Sequence, residues 1–356
     1  MREGFLLDPE VAYFNHGGYG ACTEAVFEEY RRRQLDLERD PTDFFTRRLE
    51  DALWEARAAL ASFVGAAAND VVFVPNATSA LNAVIRSLRI RPEEEILTTK
   101  HEYGAVLRTL GFIRANVVQV EPDELVENIS IRTRAIVVSH ITSPTALVLP
   151  VEEICAAARH AGVLSIVDGA HVPGHLALNL ASLGADVYAG NCHKWLCAPK
   201  GAGFLWARPE HQDWIEPLVV SWGYHEAAGF GERHGWQGTR DPAAYLSVPK
   251  AIELHATFDL GAGKMLADEA ETRLAPYGLR PRHALSPDAR AHRAIRRARP
   301  RSASALRGAP RRGAGVRMGG DDASAGLDRP LQRRVRSRAA RPRARATALK
   351  TRRRVG

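Results

Sequence analysis

Residues 164–208 constrain the fold more than any other stretch of this chain. They contain three short apolar runs, LSIV, DVYAG and GAGFLWA. Short runs of this kind, bounded by Gly, Asp or Pro, predict buried strands. The first run ends in Asp168 and the second leads into Lys194, and a helix-length segment lies between them. We therefore expect a fixed carboxylate and a reactive amine to face the same pocket.

The pairing of Lys194 with Asp168 has a specific chemical use. Pyridoxal phosphate requires a lysine for its Schiff base and an acidic partner that keeps its pyridine nitrogen protonated. A lysine that reacts near neutral pH needs its pKa lowered from about 10.4, which desolvation and neighbouring cations achieve. His193, directly before Lys194, is placed to assist and to reach a phosphate. The alternative, a surface lysine, is disfavoured by the apolar or small residues at 188–190 and 195–197.

Strands and helices are expected to alternate before and through this stretch. Apolar runs bounded by turn residues predict seven strands, at 71–75, 95–99, 116–122, 135–141, 164–167, 186–190 and 201–207. Apolar residues at helical spacing predict helices at 24–39, 46–64, 80–88 and 151–161. This alternation predicts an α/β protein with a mostly parallel sheet. Ligands of such sheets bind beyond the carboxyl ends of the strands, where the polar residues singled out here fall.

The segment after the first predicted strand is a candidate phosphate site. Asn76, Ala77, Thr78 and Ser79 follow the strand and precede a helix. Free backbone N–H groups and the helix dipole favour an anion at such a helix start. The alternative is an ordinary helix N-cap, for which Ser and Thr are also common. Together with Lys194 and Asp168 the segment predicts a cradle for the cofactor phosphate, and Thr78 is the leading candidate within it.

Three motifs give the chain a family resemblance. DGAH (168–171), NCHKW (191–195) and GAGFLW (201–206) resemble the class V aminotransferase branch of the fold-type-I pyridoxal phosphate enzymes, and most of all its isopenicillin N epimerase-like group. Matches run from Phe5 to Ala270, roughly three quarters of the chain. The resemblance implies a fold-type-I transferase whose seven-stranded sheet has helices on both faces. It also implies Asn191 and His171 as cofactor contacts, with His171 near the ring or its O3′.

The resemblance implies further contacts with the cofactor. An aromatic side chain stacks on the cofactor ring in relatives, and here either His101 or Tyr103 can fill that position. His140 is expected beside the ring hydroxyl and the substrate, although a hydrogen-bonded core histidine is an equally good interpretation. Gly238 and Thr239 match a pair that reaches the cofactor phosphate of the neighbouring subunit, which implies a homodimer with shared active sites.

The same resemblance assigns three residues to the substrate. Asn15 and Tyr19 lie in a Gly-rich turn that is expected near the substrate pocket. Relatives usually have Ser where Gly18 stands, so one polar contact is expected to be lost. Arg240 is expected either to face the substrate carboxylate or to brace its loop.

The charge of the chain is divided unevenly. Residues 271–356 hold 24 Arg and one Lys against five acids, a net charge of +20, whereas residues 1–270 hold 24 basic and 36 acidic residues, a net charge of −12. We expect an N-terminal arm at 1–22, a cofactor-binding domain at 23–270 and a tail at 271–356. The tail is rich in Arg, Ala, Gly and Pro and is predicted to be disordered because it can bury little apolar surface.

Three interpretations of this tail compete. They are a nucleic-acid-binding arm, a natural disordered tail, and the product of a frameshift in a GC-rich gene, which we favour. Relatives have a small C-terminal domain at this place, and no match to it is found. Reading the coding DNA from about codon 270 in the other two frames tests the frameshift, which fails if neither frame restores strand and helix patterns.

Other composition features limit the function classes. No run of about 18 apolar residues predicts a membrane span, and the first residues lack the apolar core of a signal peptide. The four cysteines show no paired CxxC spacing, so no metal site is expected. Free thiols favour the cytoplasm.

The predicted function is a pyridoxal phosphate enzyme that acts on an amino acid or an amino-acid-derived substrate. An epimerase-like reaction with Lys194 as proton shuttle is favoured. A C–S lyase of the hercynylcysteine type, or a catalytically impaired homologue, is the alternative. A non-catalytic nucleic-acid-binding protein that uses the tail is a second class, and salt-dependent DNA binding that vanishes on removal of 271–356 would support it. No GxSxG, P-loop or strand-linked GxGxxG motif favours a hydrolase, an NTPase or a dinucleotide enzyme.

Overall fold

A seven-stranded sheet forms the centre of the protein. The structure is a computed structural model that describes residues 4–277, 279–281 and 295–297. The strands of the sheet are β1 (Val71–Val74), β2 (Glu95–Thr99), β3 (Val117–Val120), β4 (Thr133–Ser139), β5 (Leu164–Gly169), β6 (Val187–Asn191) and β7 (Gly203–Ala207). All seven predicted strands are therefore confirmed, with bounds that differ by a few residues.

The order of the strands places the carboxyl ends of six of them on one edge of the sheet. The order is β1-β7-β6-β5-β4-β2-β3. Strand β7 runs antiparallel to both of its neighbours, and the remaining pairs, from β6 to β3, are parallel. The predicted mostly parallel sheet is confirmed. Segments that leave β1, β2, β4, β5 and β6 consequently start from the same edge.

Helices cover both faces of the sheet, as expected. Their bounds are α1 (Glu24–Arg39), α2 (Pro41–Asp43), α3 (Leu49–Phe63), α4 (Ala77–Ser87), α5 (Gly104–Phe112), α6 (Val151–His160), α7 (Leu180–Leu183), α8 (Pro209–Gln212), α9 (Phe230–Gly235), α10 (Ala243–Leu246), α11 (Val248–His255) and α12 (Leu260–Leu274). A π-helical turn lies at Phe44–Arg48, and short 3-10 turns lie at Ala68–Asp70, Pro122–Glu124 and Ala275–Tyr277.

Two apolar cores lie on the two faces of the sheet. Alternate residues of β4 belong to different cores, because successive side chains of a strand point to opposite faces. Ile136 and Val138 pack with α3, α6 and α11. Ala135 and Val137 pack with α4 and α5. We call these the α3 face and the α4 face.

The helix predicted at 46–64 begins earlier than expected. Pro41 occupies the first turn of α2, and the side chain of Asp40 accepts a hydrogen bond from the N–H of Asp43, which starts the helical path at residue 41. The π-helical turn then leads directly into α3. Between Asp168 and Lys194 the expected helix-length segment contains only the four residues of α7.

The helix predicted at 80–88 also begins earlier, at Ala77. Asn76 is its N-cap, and its side-chain oxygen accepts a hydrogen bond from the N–H of Ser79 at 2.9 Å. Asn is among the best N-cap residues because its short side chain reaches the free N–H groups of the first turn. The segment predicted to hold a phosphate is therefore the first turn of α4 itself.

Most of the predicted tail lies outside the described residues. Within the described part, α12 continues through residue 270 and ends at Leu274. Two short strands, β8 (Leu279–Pro281) and β9 (Ile295–Arg297), pair antiparallel. The domain bounds at 22 and 270 stay predictions.

Candidate active site

A cavity lies at the edge of the sheet where the parallel strands end. Its volume is about 190 Å³. Residues from five strand ends and from the N-terminal arm line it: Gly18, Tyr19, Asn76, Ala77, Thr78, Tyr103, Ser139, Ile141, Ser143, Asp168, Ala170, His171, Asn191, His193 and Lys194. The topology thus brings together residues that are as much as 176 positions apart in the chain.

Lys194 is the amine of this cavity. It follows β6 by three residues, and its Nζ lies 3.2 Å from Nε2 of His171. Burial lowers the pKa of Lys194 from its ordinary value, while the negative charge of Asp168 acts in the opposite direction. Burial and the charge of Lys194 lower the pKa of His171 to about 3. At neutral pH His171 is therefore an uncharged ring beside the amine.

Asp168 is the carboxylate of the cavity. It lies near the end of β5, and its Oδ1 accepts a hydrogen bond from the N–H of Ala170 at 2.9 Å. Burial raises its pKa, and the Ala170 N–H and the charge of Lys194 both oppose that rise. A cationic group placed against this carboxylate would hold it ionised, because opposite charges at short distance favour the charged form.

The first turn of α4 forms another wall. Asn191, the last residue of β6, accepts a hydrogen bond on its Oδ1 from the N–H of Ala77 at 2.8 Å. This bond crosses over Gly203 of β7, where a Cβ atom would lie 2.8 Å from Cα of Asn76, so only glycine leaves room for the helix start. The N–H and the hydroxyl of Thr78 make no hydrogen bond to any residue that the structure describes. Thr78 therefore offers two donors for an anion.

The N-terminal arm closes the cavity from the side of Lys194. A Cβ atom on Gly20 would lie 1.8 Å from the backbone oxygen of His193, and its φ of +72° lies in the region that favours glycine. The ring of His16 in the arm stacks on the ring of Trp195 with centroids 6.0 Å apart. The arm and the Lys194 loop are thus packed backbone against backbone.

The structure distinguishes between the two candidates for the stacking position. Tyr103 lines the cavity directly before α5. His101 does not line it, because Nδ1 of His101 lies 3.0 Å from the Thr145 hydroxyl and its Nε2 lies 3.4 Å from the Glu121 carboxylate. Placement therefore favours Tyr103 for the predicted stacking role.

His140 lies on the opposite face of the sheet from Lys194. Strand β4 ends at Ser139, which lines the cavity, and the next side chain points to the α3 face. Nδ1 of His140 lies 3.0 Å from the hydroxyl of Tyr188, and burial lowers its pKa to about 4. It lines a separate cavity of about 480 Å³. His140 therefore does not line the cavity that holds Lys194, and its placement fits the hydrogen-bonded core histidine, which is one of the two interpretations of the sequence.

The remaining predicted residues divide into two groups. Tyr19 and His193 line the cavity, and Nδ1 of His193 lies 2.9 Å from the backbone oxygen of Ala202. Asn15 lies behind this wall, where its Oδ1 accepts a hydrogen bond from the N–H of Gly18 at 2.8 Å.

Three other predicted residues do not line the cavity of their own chain. Gly238 and Thr239 lie elsewhere on the surface of the described structure. The guanidinium of Arg240 lies over the ring of Tyr245, 5.2 Å from its centroid. This placement fits the bracing role for Arg240 rather than contact with a substrate in the same chain.

Sequence reasoning missed Glu102, Ser139 and Ser143. Ser139 and Ser143 line the cavity, and the buried carboxylate of Glu102 accepts hydrogen bonds from Ser139 and from the N–H of Tyr103. A signal was present for Ser139, since it is the last residue of a predicted parallel strand. No local pattern distinguishes Glu102 from an exposed loop acid.

The residues that line the cavity fit pyridoxal phosphate. The amine of Lys194 suits its aldehyde, and the buried carboxylate of Asp168 suits its pyridine nitrogen. The unused donors of Thr78 at the start of α4 suit its phosphate. The ring of Tyr103 supplies a flat apolar wall. No group of three or more His, Cys, Asp or Glu side chains among the described residues converges as a metal site.

Comparison with known proteins agrees with this donor set. The family model "Aminotransferase class-V" matches residues 22–278. Isopenicillin N epimerase of Streptomyces clavuligerus is 35% identical over 302 residues, which cover 76% of this chain and 75% of that protein. The enzyme of the same name from Amycolatopsis lactamdurans is 37% identical over 74% of this chain and 73% of its own length.

More distant similarities extend to C–S lyases. Hercynylcysteine sulfoxide lyase of Schizosaccharomyces pombe is 27% identical over 63% of this chain and 61% of its own length. The solved structure of the cystine C–S lyase C-DES superposes with a TM-score of 0.67 at 24% identity, and the match covers 79% of this chain and 82% of that one. At that identity the likeness concerns the fold alone. Among the described residues, no helix is both long and apolar enough to cross a membrane.

Proposed function

This chain belongs to the aminotransferase class-V family, and from that premise we propose that it is an epimerase-like enzyme that moves the proton on the α-carbon of an amino acid or an amino-acid-derived substrate. Its cofactor is pyridoxal phosphate. The observation that carries the proposal is the convergence of Lys194, Asp168 and Thr78 on one cavity.

The cofactor, when bound, supplies an electron sink for the carbanion left after the α-proton is removed. Lys194 is the residue that we propose to accept and return that proton, because burial lowers the pKa of its amine. His171 stays uncharged beside it and can accept a hydrogen bond from the protonated amine. Asp168 would hold the positive charge of the cofactor's pyridine nitrogen, and the first turn of α4 would hold its phosphate.

A C–S lyase of the hercynylcysteine type is the second candidate. It shares the removal of the α-proton and adds the loss of sulfur from the β-carbon, so the same residues serve both reactions. The similarity to hercynylcysteine sulfoxide lyase favours it, at lower identity than the similarity to the epimerases. Incubation with candidate amino acids in D₂O separates the two: an epimerase exchanges the α-hydrogen with retention of sulfur, and a lyase releases a sulfur product. A chain that takes up cofactor and does neither is an impaired homologue.

The experiment that tests the proposal uses the full chain with added pyridoxal phosphate. We expect a visible absorbance band, and borohydride reduction should leave the cofactor covalently on Lys194, as located by peptide mass spectrometry. Lys194→Ala should abolish both signals. Lys200→Ala is the matched control, because Lys200 is an exposed lysine of the same loop. Retention of the band in Lys194→Ala, or label on a different lysine, contradicts the proposal.

We propose a homodimer as the working assembly, in which Gly238 and Thr239 of one subunit contribute to the phosphate site of the other. Its support is the family pattern, together with the absence of both residues from the cavity lining of their own chain. Sedimentation velocity of the cofactor-loaded protein measures the assembly. A monomer at micromolar concentration contradicts it.

A further inference from the structure

Glu102 is a buried acid that joins two walls of the active-site cavity. Only 5% of the residue is exposed. Its Oε1 accepts hydrogen bonds from the N–H of Tyr103 at 2.7 Å and from the hydroxyl of Ser139 at 2.5 Å. Its Oε2 accepts a hydrogen bond from the N–H of Ser139 at 2.8 Å. One carboxylate therefore ties the residue before α5 to the last residue of β4.

Both partners of Glu102 face the cavity. Tyr103 and Ser139 line it, and Ser139 lies opposite Asp168 in the register of β4 and β5. Tyr103 is 42% exposed, so the packing of its own side chain holds it only in part. Its backbone N–H is instead held by the Glu102 carboxylate. The three bonds consequently hold the backbone from which the Tyr103 ring extends against Ser139, and through Ser139 against Asp168 on the adjacent strand.

Glu95, a second buried glutamate and the first residue of β2, serves as a comparison because it lies away from the cavity. Glu95 is 3% exposed and accepts hydrogen bonds from the hydroxyls of Ser130 and Thr133. It lies at the amino end of the strand and forms an ion pair with Arg132 at 3.0 Å. The two glutamates thus have similar burial and similar hydroxyl partners at opposite ends of the sheet.

The electrostatic setting of Glu102 is different. It forms no ion pair with any basic side chain that the structure describes. Burial and the nearby charge of Asp168 raise its pKa to about 7, although its three hydrogen bonds oppose that rise. Burying an acid beside another acid without a cation costs stability. Stability alone therefore does not explain why an acid stands here.

We propose that Glu102 is a positioning residue that holds Tyr103 and Ser139 in the geometry which orients the cofactor ring between Lys194 and Asp168. The proposal rests on the proposed function, because it concerns how the same cavity holds the same group. Glu102 acts through its two partners and does not need to touch the cofactor.

The test compares Glu102→Gln with Glu95→Gln in the full chain. Glutamine keeps the size of the side chain but places an N–H₂ donor opposite a backbone or hydroxyl donor, so one of the three bonds is lost. Circular dichroism of the visible cofactor band reports the asymmetry of the ring environment. We expect Glu102→Gln to lower the ellipticity per bound cofactor by about threefold and to weaken cofactor affinity by about tenfold. Glu95→Gln should leave both unchanged even where it lowers the melting temperature.

Two further variants keep the test decisive. Glu102→Asp should restore part of the ellipticity, because a carboxylate can re-form some of the bonds. If Glu102→Gln fails to fold, Ser139→Ala removes only the hydroxyl bond and should lower the ellipticity by a smaller factor. Wild-type ellipticity and affinity in Glu102→Gln, or in Ser139→Ala when it is the variant used, overturn the positioning role. Absence of the borohydride label on Lys194 in the unmodified chain instead overturns the proposed function, so the two failures are distinguishable.

Discussion

The two residues with which the sequence argument begins, Lys194 and Asp168, owe their chemistry to burial. Burial raises the pKa of Asp168 and lowers the pKa of Lys194, so it favours the neutral form of both. The charge of each residue opposes the shift of the other. His171 adds no positive charge because its own pKa is lowered to about 3. Burial therefore increases the fraction of the Lys194 amine that is unprotonated, which is the state that attacks an aldehyde.

At this scale we predict that Asp168→Asn separates cofactor capture from turnover. Asparagine cannot hold a positive charge on the pyridine nitrogen, so the electron sink is weakened. The variant should still be labelled on Lys194 by borohydride, whereas α-hydrogen exchange should fall by about 100-fold or more. Kinetics of exchange in D₂O measure this loss.

Asp186→Asn is the matched control for Asp168→Asn. Asp186 is also buried, but it lies at the amino end of β6 and bonds to Ser165. It should lower stability and leave the exchange per folded molecule unchanged. Equal exchange rates in Asp168→Asn and the unmodified chain would remove Asp168 from the reaction.

At the scale of elements, the first turn of α4 supplies the N–H groups of the predicted phosphate site. Asn76 caps the helix and Asn191 takes the N–H of Ala77, so two of the four free N–H groups expected at a helix start are already used. Thr78 is left with its N–H and hydroxyl. The phosphate cradle predicted from the sequence is therefore narrower than the whole turn and is centred on one residue.

Because Thr78 supplies the remaining donors, we predict that Thr78→Val weakens the binding of pyridoxal phosphate more than the binding of pyridoxal. The substitution preserves shape and removes the hydroxyl, so affinity for pyridoxal phosphate should fall by about tenfold. Affinity for pyridoxal, which lacks the phosphate, should change by less than about twofold. Ser79→Ala is the control, because Ser79 does not line the cavity and its hydroxyl bonds to Asn76. Equal loss of affinity for both ligands would place Thr78 away from the phosphate.

At the scale of the whole molecule, buried histidines govern the response to acid. Burial lowers the pKa of His140 and of His234 to about 4 and contributes to a pKa of about 3 for His171. Each lies below the ordinary value of 6.5, so the unfolded chain binds protons that the folded chain rejects. Stability is therefore lost as the pH falls below 6.5. Glu102 has a raised pKa, so the folded chain binds its proton more tightly than the unfolded chain, and this residue adds stability as the pH falls from 7 to 4.5.

We predict that the cofactor-free protein loses unfolding free energy between pH 6 and pH 5. His140, His171 and His234 each lower it by about 1.4 kcal/mol per pH unit. Burial also lowers the pKa of His16 and His193, which adds to the loss, whereas the raised pKa of Glu102 and of Asp168 opposes it. Urea unfolding at the two pH values measures the difference. His234→Gln removes one histidine away from the cavity and should reduce the slope by about 1.4 kcal/mol per pH unit, whereas the exposed His160→Gln should not change it. An unchanged slope in His234→Gln would contradict this account.

The site residues that could be predicted from the sequence are those whose placement follows from the end of a strand. Lys194 and Thr78 each lie a few residues after a strand and Asp168 lies near the end of one. Strands that run in the same direction bring such ends to one edge of the sheet, so the local pattern around each residue was enough to predict that they meet. The sequence left two interpretations open for His140, because neighbouring residues at a strand end face opposite sides of the sheet and only the fold shows which side each one takes. Tyr103 and His101 could not be separated, since two residues in one loop differ only in what the fold packs against them.

The sequence by itself determined the alternation of strands and helices, the family, and the residue types at the strand ends. These follow from short-range periodicity and from motifs that lie within a few residues of one another. Only the tertiary structure decided that Glu102 joins Tyr103 to Ser139 and that Asn191 reaches Ala77 across Gly203. Such contacts join residues up to 114 positions apart, and hydrogen bonds at that separation depend on strand order and register rather than on any local pattern.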